Sequence, residues 1–489
     1  MTISGLGHEA VPEMSERGEA IRHLGTHRKL VSQTEQLAPD TTLTPDAIVV
    51  PASRPAENLE QAIRLAQALR CALLIMCSHQ VKPVDVNTLL ARRSFSDAIV
   101  VNLPANYRHE LLDFPALARI KDKLPPACSW YVTDLSTKRN VSLLLARMLG
   151  WRHIFFLDDD ITDINPLDVQ RTVSMLGSYP TAGMRVSNFP DNSAVCHAHR
   201  AIGGLQDVFV TGAVLAVDCQ QDIGFFPGIY NEDWLFFFDN ASRGLLGSSG
   251  FEVTQLRYDP FADPDRAAWQ EFGDVLAEGL YALLDQGLDW RCATDGYWTQ
   301  FLEARQRFLN AILAGAGTVD PVIRDQLRLS VEMALKWSAT IGPGLLERYT
   351  LLWRRDLRNW QRRIAGVRKV SSPEAALQTL GLRRSTGDGI AGISQATTPA
   401  NEGPATMPLA RDELDDLLRF TAEDDGHAAL GRGKRSGRHR QAGVQARHEV
   451  QESRRFASTL RAFRPGRGLG TAEPRPALDV QTAADTACS

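Results

Sequence analysis

The hydrophobic pattern of the chain divides it into segments of different character. Within residues 45–262, short apolar runs such as Ala47–Val50 and Ala72–Met76 alternate with segments like Leu59–Leu69, where apolar residues recur at helical spacing. A strand, a helix and a second strand in this order predict a parallel sheet with a right-handed crossover. Residues 263–384 carry the helical pattern alone. We predict an α/β domain, with a mixed and mainly parallel sheet flanked by helices, followed by a helical extension.

The two ends of the chain lack this patterning. Residues 1–44 are polar and aperiodic, and residues 385–489 are rich in Gly, Ser, Thr and Ala, with basic stretches at Arg432–Arg435 and Arg438–Arg440. Such composition is typical of segments that bury no core. We expect a flexible N-terminal extension and a largely disordered tail, whose basic stretches are solvated rather than bound to nucleic acid or acidic lipid.

Composition narrows the class of protein. The chain has 489 residues, of which 44% are hydrophobic and 23% charged, as is ordinary for a globular protein with a sizeable core. A net charge of −4 gives no strong nucleic-acid signal. The 7 cysteines are scattered, without Cys-x-x-Cys pairs. No apolar run reaches the roughly 18 residues of a transmembrane helix, and we see no secretory signal. We expect a cytoplasmic protein.

An apolar strand that ends in three carboxylates is the strongest chemical signal. Phe155-Phe156-Leu157 is followed directly by Asp158, Asp159 and Asp160. Adjacent acids repel one another and are unfavourable to desolvate unless a cation or hydrogen-bond donors meet them. Oxygen ligands suit Mg²⁺ or Mn²⁺, which commonly bridge to substrate phosphates. If the alternation of the strand continues through the triplet, Asp159 points to the opposite side from Asp158 and Asp160. The alternative is a surface turn after a core strand.

Two segments with cationic side chains are candidates for binding a phosphate. Ser53 and Arg54 follow the first predicted strand, at the edge where α/β sheets bind ligands. Lys138 and Arg139 are expected in the first turn of an amphipathic helix, where cations oppose the helix dipole unless an anion binds there. The alternative for these cations is a solvated surface position.

A second acidic motif, Glu232-Asp233, begins 74 residues after Asp158 and opens an apolar segment with helical pattern. Either carboxylate is a candidate general base that faces the metal site. The alternative is compensation of the helix dipole, because acids are favoured at helix N-termini.

In combination these segments resemble a known family. The order is a Ser-Arg-Pro loop after the first strand, Lys138-Arg139-Asn140 before a helix, the acidic triplet, Gly212 in an apolar strand, and Asn231-Glu232-Asp233-Trp234. Over residues 46–260 this order resembles the GT-A-fold glycosyltransferases, nearest to the broad family 2 group of the nucleotide-diphospho-sugar transferase superfamily. The resemblance implies a Rossmann-like GT-A fold and transfer of a sugar, hexosyltransferase-like, from a UDP- or GDP-sugar to an acceptor hydroxyl.

The resemblance also implies roles for individual residues. Asp158 and Asp160 match the Asp-x-Asp pair that holds Mg²⁺ or Mn²⁺ on the donor diphosphate, and Asp233 or Glu232 matches the catalytic base of inverting members. Asp134 is the candidate contact to the nucleotide base, since Cys77-Ser78-His79 lacks the acid that many members have there. The full expected donor-binding set is Ser53, Arg54, Asp134, Lys138, Arg139, Asn140 and Asp159.

Two alternatives stay open. The run from Asp158 to Thr162 also fits the Asp-x-Asp-x-Thr motif of haloacid-dehalogenase-like phosphatases, in which Asp158 would be phosphorylated, Asp160 would act as acid or base, and Mg²⁺ would bind. That fold normally begins near the motif, whereas a long α/β pattern precedes it here. The other alternative is a non-catalytic sugar-nucleotide-binding protein. The acceptor, whether small molecule, glycan or lipid-linked, is expected against residues 189–207 and the helical region after residue 260.

Overall fold

Strands run through the whole of the predicted α/β region in the computed structural model. The structure describes residues 23–33, 43–124, 130–187, 189, 193–207 and 210–385. The strands are β1 (Ser32–Gln33), β2 (Ala47–Val50), β3 (Ala72–Cys77), β4 (Ala98–Asn102), β5 (His153–Leu157), β6 (Ile161–Thr162), β7 (Thr181–Val186), β8 (Val214–Asp218) and β9 (Leu246–Gln255).

Eight of these strands form one mixed sheet, in the order β1-β9-β7-β8-β5-β2-β3-β4, and the short β6 pairs with β9. Strand β8 runs antiparallel to both of its neighbours, β5 and β7, whereas the other pairs in this order are parallel. The carboxyl ends of β2, β3, β5 and β9 therefore lie at the same edge as the amino end of β8. The predicted class, a mixed and mainly parallel sheet, is confirmed.

Helices flank the sheet and make up the C-terminal region of the described chain. They are α1 (Glu60–Leu69), α2 (Pro83–Arg92), α3 (Pro115–Ala118), α4 (Trp130–Leu149), α5 (Pro166–Ser174), α6 (Ala194–Ala201), α7 (Glu232–Phe236), α8 (Phe238–Ser242), α9 (Asp265–Asp285), α10 (Asp295–Gly315), α11 (Pro321–Ser338), α12 (Pro343–Ala365) and α13 (Pro373–Thr379).

Alternate residues of β2 show that both faces of the sheet are buried. Ile48 and Val50 pack in a core with α1, α2 and α5, while Ala47 and Val49 pack in a core with α4. Helices α9, α10 and α12 contribute to this second core, with Trp353 fully buried. Helices α9, α10 and α12 of the predicted helical region therefore share a core with the sheet, whereas α11 packs with α6 and α10 in a third core.

Part of the N-terminal segment expected to be flexible is packed on the fold. His27 is 2% exposed and its Nδ1 contacts the carboxylate of Asp285, at the end of α9. His23 Nδ1 lies 2.7 Å from Oε2 of Glu278, and β1 pairs with β9. Residues 23–33 thus belong to the folded unit, because specific polar contacts hold a segment that has no hydrophobic periodicity. The predicted tail lies outside the described residues except for Ser385.

None of the helices in the described part of the chain combines the length and the apolar character that a membrane span requires.

Candidate functional site

The carboxyl ends of parallel strands bring the predicted segments to one edge of the sheet. Arg54 follows β2, Asp158 and Asp160 follow β5, and Gln255 ends β9. Gly212 and Ala213 lead into β8 from the same edge, and the Asp158 amide donates to the Ala213 carbonyl at 2.9 Å. Strand β8 begins at Val214, so Gly212 precedes the strand in which it was predicted. Crossover topology therefore assembles the acids and cations that are remote in sequence.

A cleft of about 520 Å³ opens at this edge. Six carboxylates and three guanidinium groups line it, together with aromatic and small polar side chains. The lining residues are Arg54, Leu135, Arg139, Asp158, Asp160, Tyr230, Asn231, Glu232, Asp233, Trp234, Gln255, Tyr258, Asp259, Ala262, Asp263, Arg266 and Trp269.

Arg139 links the two acidic motifs. Its Nη2 lies 3.0 Å from each carboxylate oxygen of Asp158, and its Nη1 lies 2.6 Å from Oε1 of Glu232. The guanidinium is buried and also lies over the ring of Phe226, 5.4 Å from the centroid. Burial disfavours its charge, but Asp158, Glu232 and Asp233 raise the pKa of Arg139 above its ordinary value. A permanently charged cation therefore stands between the acids.

Arg54 joins the other two acids of the triplet. Its side chain contacts Asp159 through Nη1 and Oδ2 of Asp160 through Nη2, at 2.8 Å in the second case. Oδ2 of Asp159 accepts from the backbone amides of Ser53 at 2.7 Å and Arg54 at 2.8 Å. Gln255 donates to Oδ2 of Asp160 at 2.9 Å. Asp159 thus anchors the loop that carries Arg54, while Asp160 lines the cleft.

The Glu232-Asp233 motif lies at the start of the short helix α7. Oδ2 of Asp233 accepts from the Gly212 amide at 2.7 Å, and Oδ1 accepts from the Trp234 amide at 2.9 Å. Asn231 has a left-handed backbone (φ 59°) and donates to Asp274 of α9 at 2.9 Å. The turn before α7 is therefore held by the Gly212 segment and by α9, and both acids of the motif line the cleft.

This arrangement shifts the pKa of Glu232. Burial raises the pKa of Glu232 to about 8, and the neighbouring Asp233 adds to the rise, while Arg139 opposes it. At neutral pH a carboxyl with this pKa is largely protonated, so as a general base it would act through its ionised fraction, which binds a proton more tightly than an ordinary carboxylate does.

Five of the seven predicted donor-binding residues do not line the cleft, namely Ser53, Asp134, Lys138, Asn140 and Asp159. Asn140 has both side-chain groups bonded to the backbone of Phe226, at 2.8 Å each. Lys138 is 1% exposed and donates to Asp134 at 2.8 Å and to the Ala52 carbonyl at 2.7 Å. These side chains hold the loops around the site and have few groups left for a ligand.

The prediction that Lys138 and Arg139 open a helix is corrected. Helix α4 begins at Trp130, so both cations lie in its middle and no helix N-terminus is available to an anion there. Their buried positions are stable because carboxylates pair with both, a long-range effect that local propensity does not contain. Asp134 also accepts from Ser78 Oγ at 2.8 Å and so holds the residue that directly follows β3. Among the described residues Ser53 likewise does not line the cleft.

The donor set of the cleft suits a hard divalent cation. Asp158 and Asp160 offer carboxylate oxygens at the strand end, and acids outnumber guanidinium groups in the lining. Carboxylate-rich, oxygen-only sites are those that Mg²⁺ and Mn²⁺ prefer. Both acids also contact arginines, so an ion held here would share Asp158 with Arg139 and Asp160 with Arg54.

A second acidic cluster lies in the helical region and already contains a cation. Arg305 of α10 donates to Glu271 at 2.7 and 2.9 Å, to Asp274 at 3.0 Å and to Glu278 at 3.4 Å. Ligand-type atoms of Cys196, Asp274 and Glu278 lie within 4.8 Å of one another. The guanidinium of Arg305 therefore already compensates the charge of these buried acids.

Several residues of the lining did not emerge from the sequence. Gln255, Tyr258, Arg266 and Trp269 come from the end of β9 and the start of α9. The alternation of aromatic and charged residues between 255 and 269 is the signal that would have indicated them. The acceptor was expected against residues 189–207 and the helical region after residue 260. None of the described residues of 189–207 lines the cleft, whereas Asp263, Arg266 and Trp269 of the second region do.

A scan of the chain against models of protein families finds no match, and no curated protein sequence matches it. Function is therefore inferred from the residues of the cleft.

Proposed function

We propose that the chain is a metal-dependent glycosyltransferase of the GT-A fold, which moves a sugar from a UDP- or GDP-sugar to an acceptor hydroxyl. One observation carries the proposal: two acidic motifs that begin 74 residues apart meet at Arg139 in a single cleft at the carboxyl edge of the sheet. The mixed, mainly parallel sheet is the architecture that this family would require. The resemblance in motif order supports the same conclusion.

The cleft residues have separate tasks in this reaction. Mg²⁺ or Mn²⁺ held by Asp158 and Asp160 would supply positive charge to the donor diphosphate. Arg139 and Arg54 lie beside the same acids, where they can bind phosphate oxygens and stabilise the charge that accumulates on the leaving nucleoside diphosphate. Because both guanidinium groups are already held by carboxylates, they need little reorganisation when the donor binds.

Transfer is proposed as a direct displacement. The acceptor hydroxyl oxygen forms a bond to the anomeric carbon, and the bond from that carbon to the diphosphate oxygen breaks. The hydroxyl proton passes to a carboxylate, and the nucleoside diphosphate leaves with the bonding electrons. Glu232 is favoured as the proton acceptor because burial raises its pKa to about 8. Asp233 accepts two backbone hydrogen bonds, which stabilise its anion and suit it to positioning.

The phosphatase alternative is disfavoured by the position of Thr162. Its hydroxyl lies 2.6 Å from that of Thr254, across the β6–β9 pair, and the residue does not line the cleft. Both oxygens of Asp158 are held by Arg139 at 3.0 Å, which leaves a poor nucleophile for phosphoryl transfer. The Asp-x-Asp-x-Thr pattern is therefore read as a coincidence of spacing.

The test is a screen of UDP- and GDP-sugars with Mn²⁺, read by thermal shift and by release of UDP or GDP. We expect Mn²⁺-dependent stabilisation by one nucleotide class and slow donor hydrolysis. Asp160→Asn should reduce hydrolysis by at least about 100-fold, since it removes a carboxylate that would hold the divalent cation at the diphosphate. Asp163→Asn is the matched control, because Asp163 is an exposed acid that does not line the cleft.

Three outcomes would contradict the proposal in different ways. No binding and no hydrolysis across the panel removes the transferase function. Stabilisation by beryllofluoride without a response to nucleotides identifies a phosphatase instead. Donor binding without turnover, in wild type and Asp160→Asn alike, identifies a non-catalytic sugar-nucleotide-binding protein.

A further inference from the structure

We propose that the cleft contains a subsite for a neutral saccharide, so that the acceptor is a carbohydrate. This inference rests on the proposed transferase function and names its second substrate. Three partly buried rings in the lining, Tyr230, Tyr258 and Trp269, form what we call the aromatic wall. They come from the segment before α7, the loop after β9 and the start of α9, and so are separate from the strand-end acids.

Two rings of the aromatic wall form a corner. The centroids of Tyr230 and Trp269 are 6.0 Å apart and their planes meet at 75°. Gly273 allows the Tyr230 backbone to approach α9, since a Cβ at Gly273 would lie 2.1 Å from the Tyr230 carbonyl oxygen. The C–H faces of a pyranose ring pack on aromatic faces, and a corner of two rings matches one face and one edge of a sugar. Rings held in advance lose little entropy on binding.

The third ring is also fixed before any ligand arrives. The guanidinium of Arg266 lies over Tyr258, 4.3 Å from the ring centroid, and donates to its hydroxyl at 3.1 Å. Phe189 meets the same ring edge-on at 4.9 Å. Tyr258 is thus a rigid part of the wall, and Arg266 is engaged with it.

Two exposed carboxylates, Asp259 and Asp263, lie on the loop between Tyr258 and α9. Oδ1 of Asp259 accepts from the Phe261 amide at 2.9 Å, and Oδ1 of Asp263 accepts from the Asp265 amide at 3.1 Å. Phe261 is 4% exposed and anchors the loop between them. Each acid is therefore held through one oxygen, and carboxylate oxygens are good acceptors for sugar hydroxyls.

The charge of this part of the cleft selects the class of acceptor. A phosphorylated acceptor would be repelled by Asp259 and Asp263, which together outweigh the single positive charge of Arg266 in this part of the lining. A lipid chain would need continuous apolar surface, which the two acids interrupt. A neutral saccharide satisfies both surfaces, because its C–H faces meet the aromatic wall and its hydroxyls meet the carboxylates.

The test uses the labelled full-length protein, with UDP or GDP and Mn²⁺, on an array of neutral, amino, acidic and phosphorylated glycans. We expect binding to neutral glycans, reduced at least about tenfold by Trp269→Ala and largely retained in Trp269→Phe. Trp290→Ala is the matched control, because Trp290 is also partly buried but does not line the cleft. Nucleotide binding, measured separately by thermal shift, should be unchanged in all three variants.

Other outcomes of these two measurements would each contradict one part of the proposal. Nucleotide binding with no neutral glycan bound, or with phosphorylated glycans preferred, overturns the saccharide subsite and leaves the transferase function standing. Neutral-glycan binding that Trp269→Ala does not change overturns the assignment to the aromatic wall. Neutral-glycan binding without any nucleotide response supports the subsite and contradicts the transferase function on which its role as an acceptor site rests.

Discussion

Nη1 of Arg139 lies 2.6 Å from Oε1 of Glu232, although 93 residues separate them in the chain. Through Nη2 the same guanidinium donates to both oxygens of Asp158. One buried side chain therefore connects the end of β5 to the start of α7. The position of each acidic motif depends on the other through this shared cation.

Arg139→Lys is expected to impair the proposed transfer while the chain still folds. A lysine ammonium is a compact charge on a flexible stem and does not reproduce the planar fork that meets Asp158 and Glu232 together. Loss of one charge-assisted hydrogen bond of about 1.5 kcal/mol predicts at least a roughly tenfold fall in kcat/KM. Arg147→Lys, on the same helix, should leave kcat/KM unchanged. Equal effects of the two variants on donor hydrolysis would refute the role given to Arg139.

Glu232 predicts a pH dependence of stability with a definite sign. Burial raises the pKa of this carboxyl to about 8 in the folded chain, from an ordinary value of 4.5. The folded state therefore binds the proton more tightly, and the free energy of unfolding falls as pH rises from about 4.5 to about 8. Urea titrations should show a shallower fall in Glu232→Gln. Glu303→Gln, an exposed acid of α10, should retain the wild-type slope, and identical slopes in all three proteins would contradict the buried titration.

Gly212→Ala is expected to disturb the site through crowding. A Cβ at this position would lie 2.8 Å from Nη1 of Arg139 and 2.9 Å from Cβ of Asp233, so one of them must move. Overpacking of this kind costs about 1–3 kcal/mol, measured as a shift in the urea midpoint. Gly296→Ala in α10 meets nothing within 4 Å and should stabilise by about 0.5–1 kcal/mol. A neutral Gly212→Ala would show that the segment before β8 relaxes freely.

Arg305→Met should destabilise the fold strongly. It removes the cation shared by Glu271, Asp274 and Glu278, and buried acids left without their partner cost about 3–5 kcal/mol. Arg307→Met is the comparison on the same helix, because Arg307 is exposed and lies 3.9 Å from Glu303. It should change the free energy of unfolding by less than about 1 kcal/mol. Similar urea midpoints for the two variants would mean that the cluster relaxes by taking up protons.

The strand framework was predictable because its signals are local. Runs such as Ala47–Val50 and the apolar stretch before Asp158 are buried on both faces, and continuous apolar residues are what such burial requires. Crossover topology then brings the loops after parallel strands to one edge. The loop of Arg54 and the strand end of Asp160 were each predicted to bind a ligand, and the structure places Nη2 of Arg54 2.8 Å from Oδ2 of Asp160.

The remainder was not predictable because it depends on contacts between distant segments. The start of α4 was placed too late, since buried partners compensate Lys138 and Arg139 in mid-helix and local charge rules do not include them. The N-terminal residues 23–33 showed no periodicity, yet His27 is buried against α9. Trp269 was also missed, because the aromatic and charged residues of 255–269 mark the segment, but only the neighbours of the ring in space show that it faces a cleft.

The hydrogen bond from Asn231 to Asp274 limits how far this protein can be shortened. Asp274 is itself held by Arg305, so the turn before Glu232 is braced by α9 and α10. A truncation after residue 262 would keep every strand that the structure describes and would still remove this brace. The smallest fragment able to perform the proposed reaction must therefore extend well beyond the sheet, and a fragment that ends at residue 262 should be inactive.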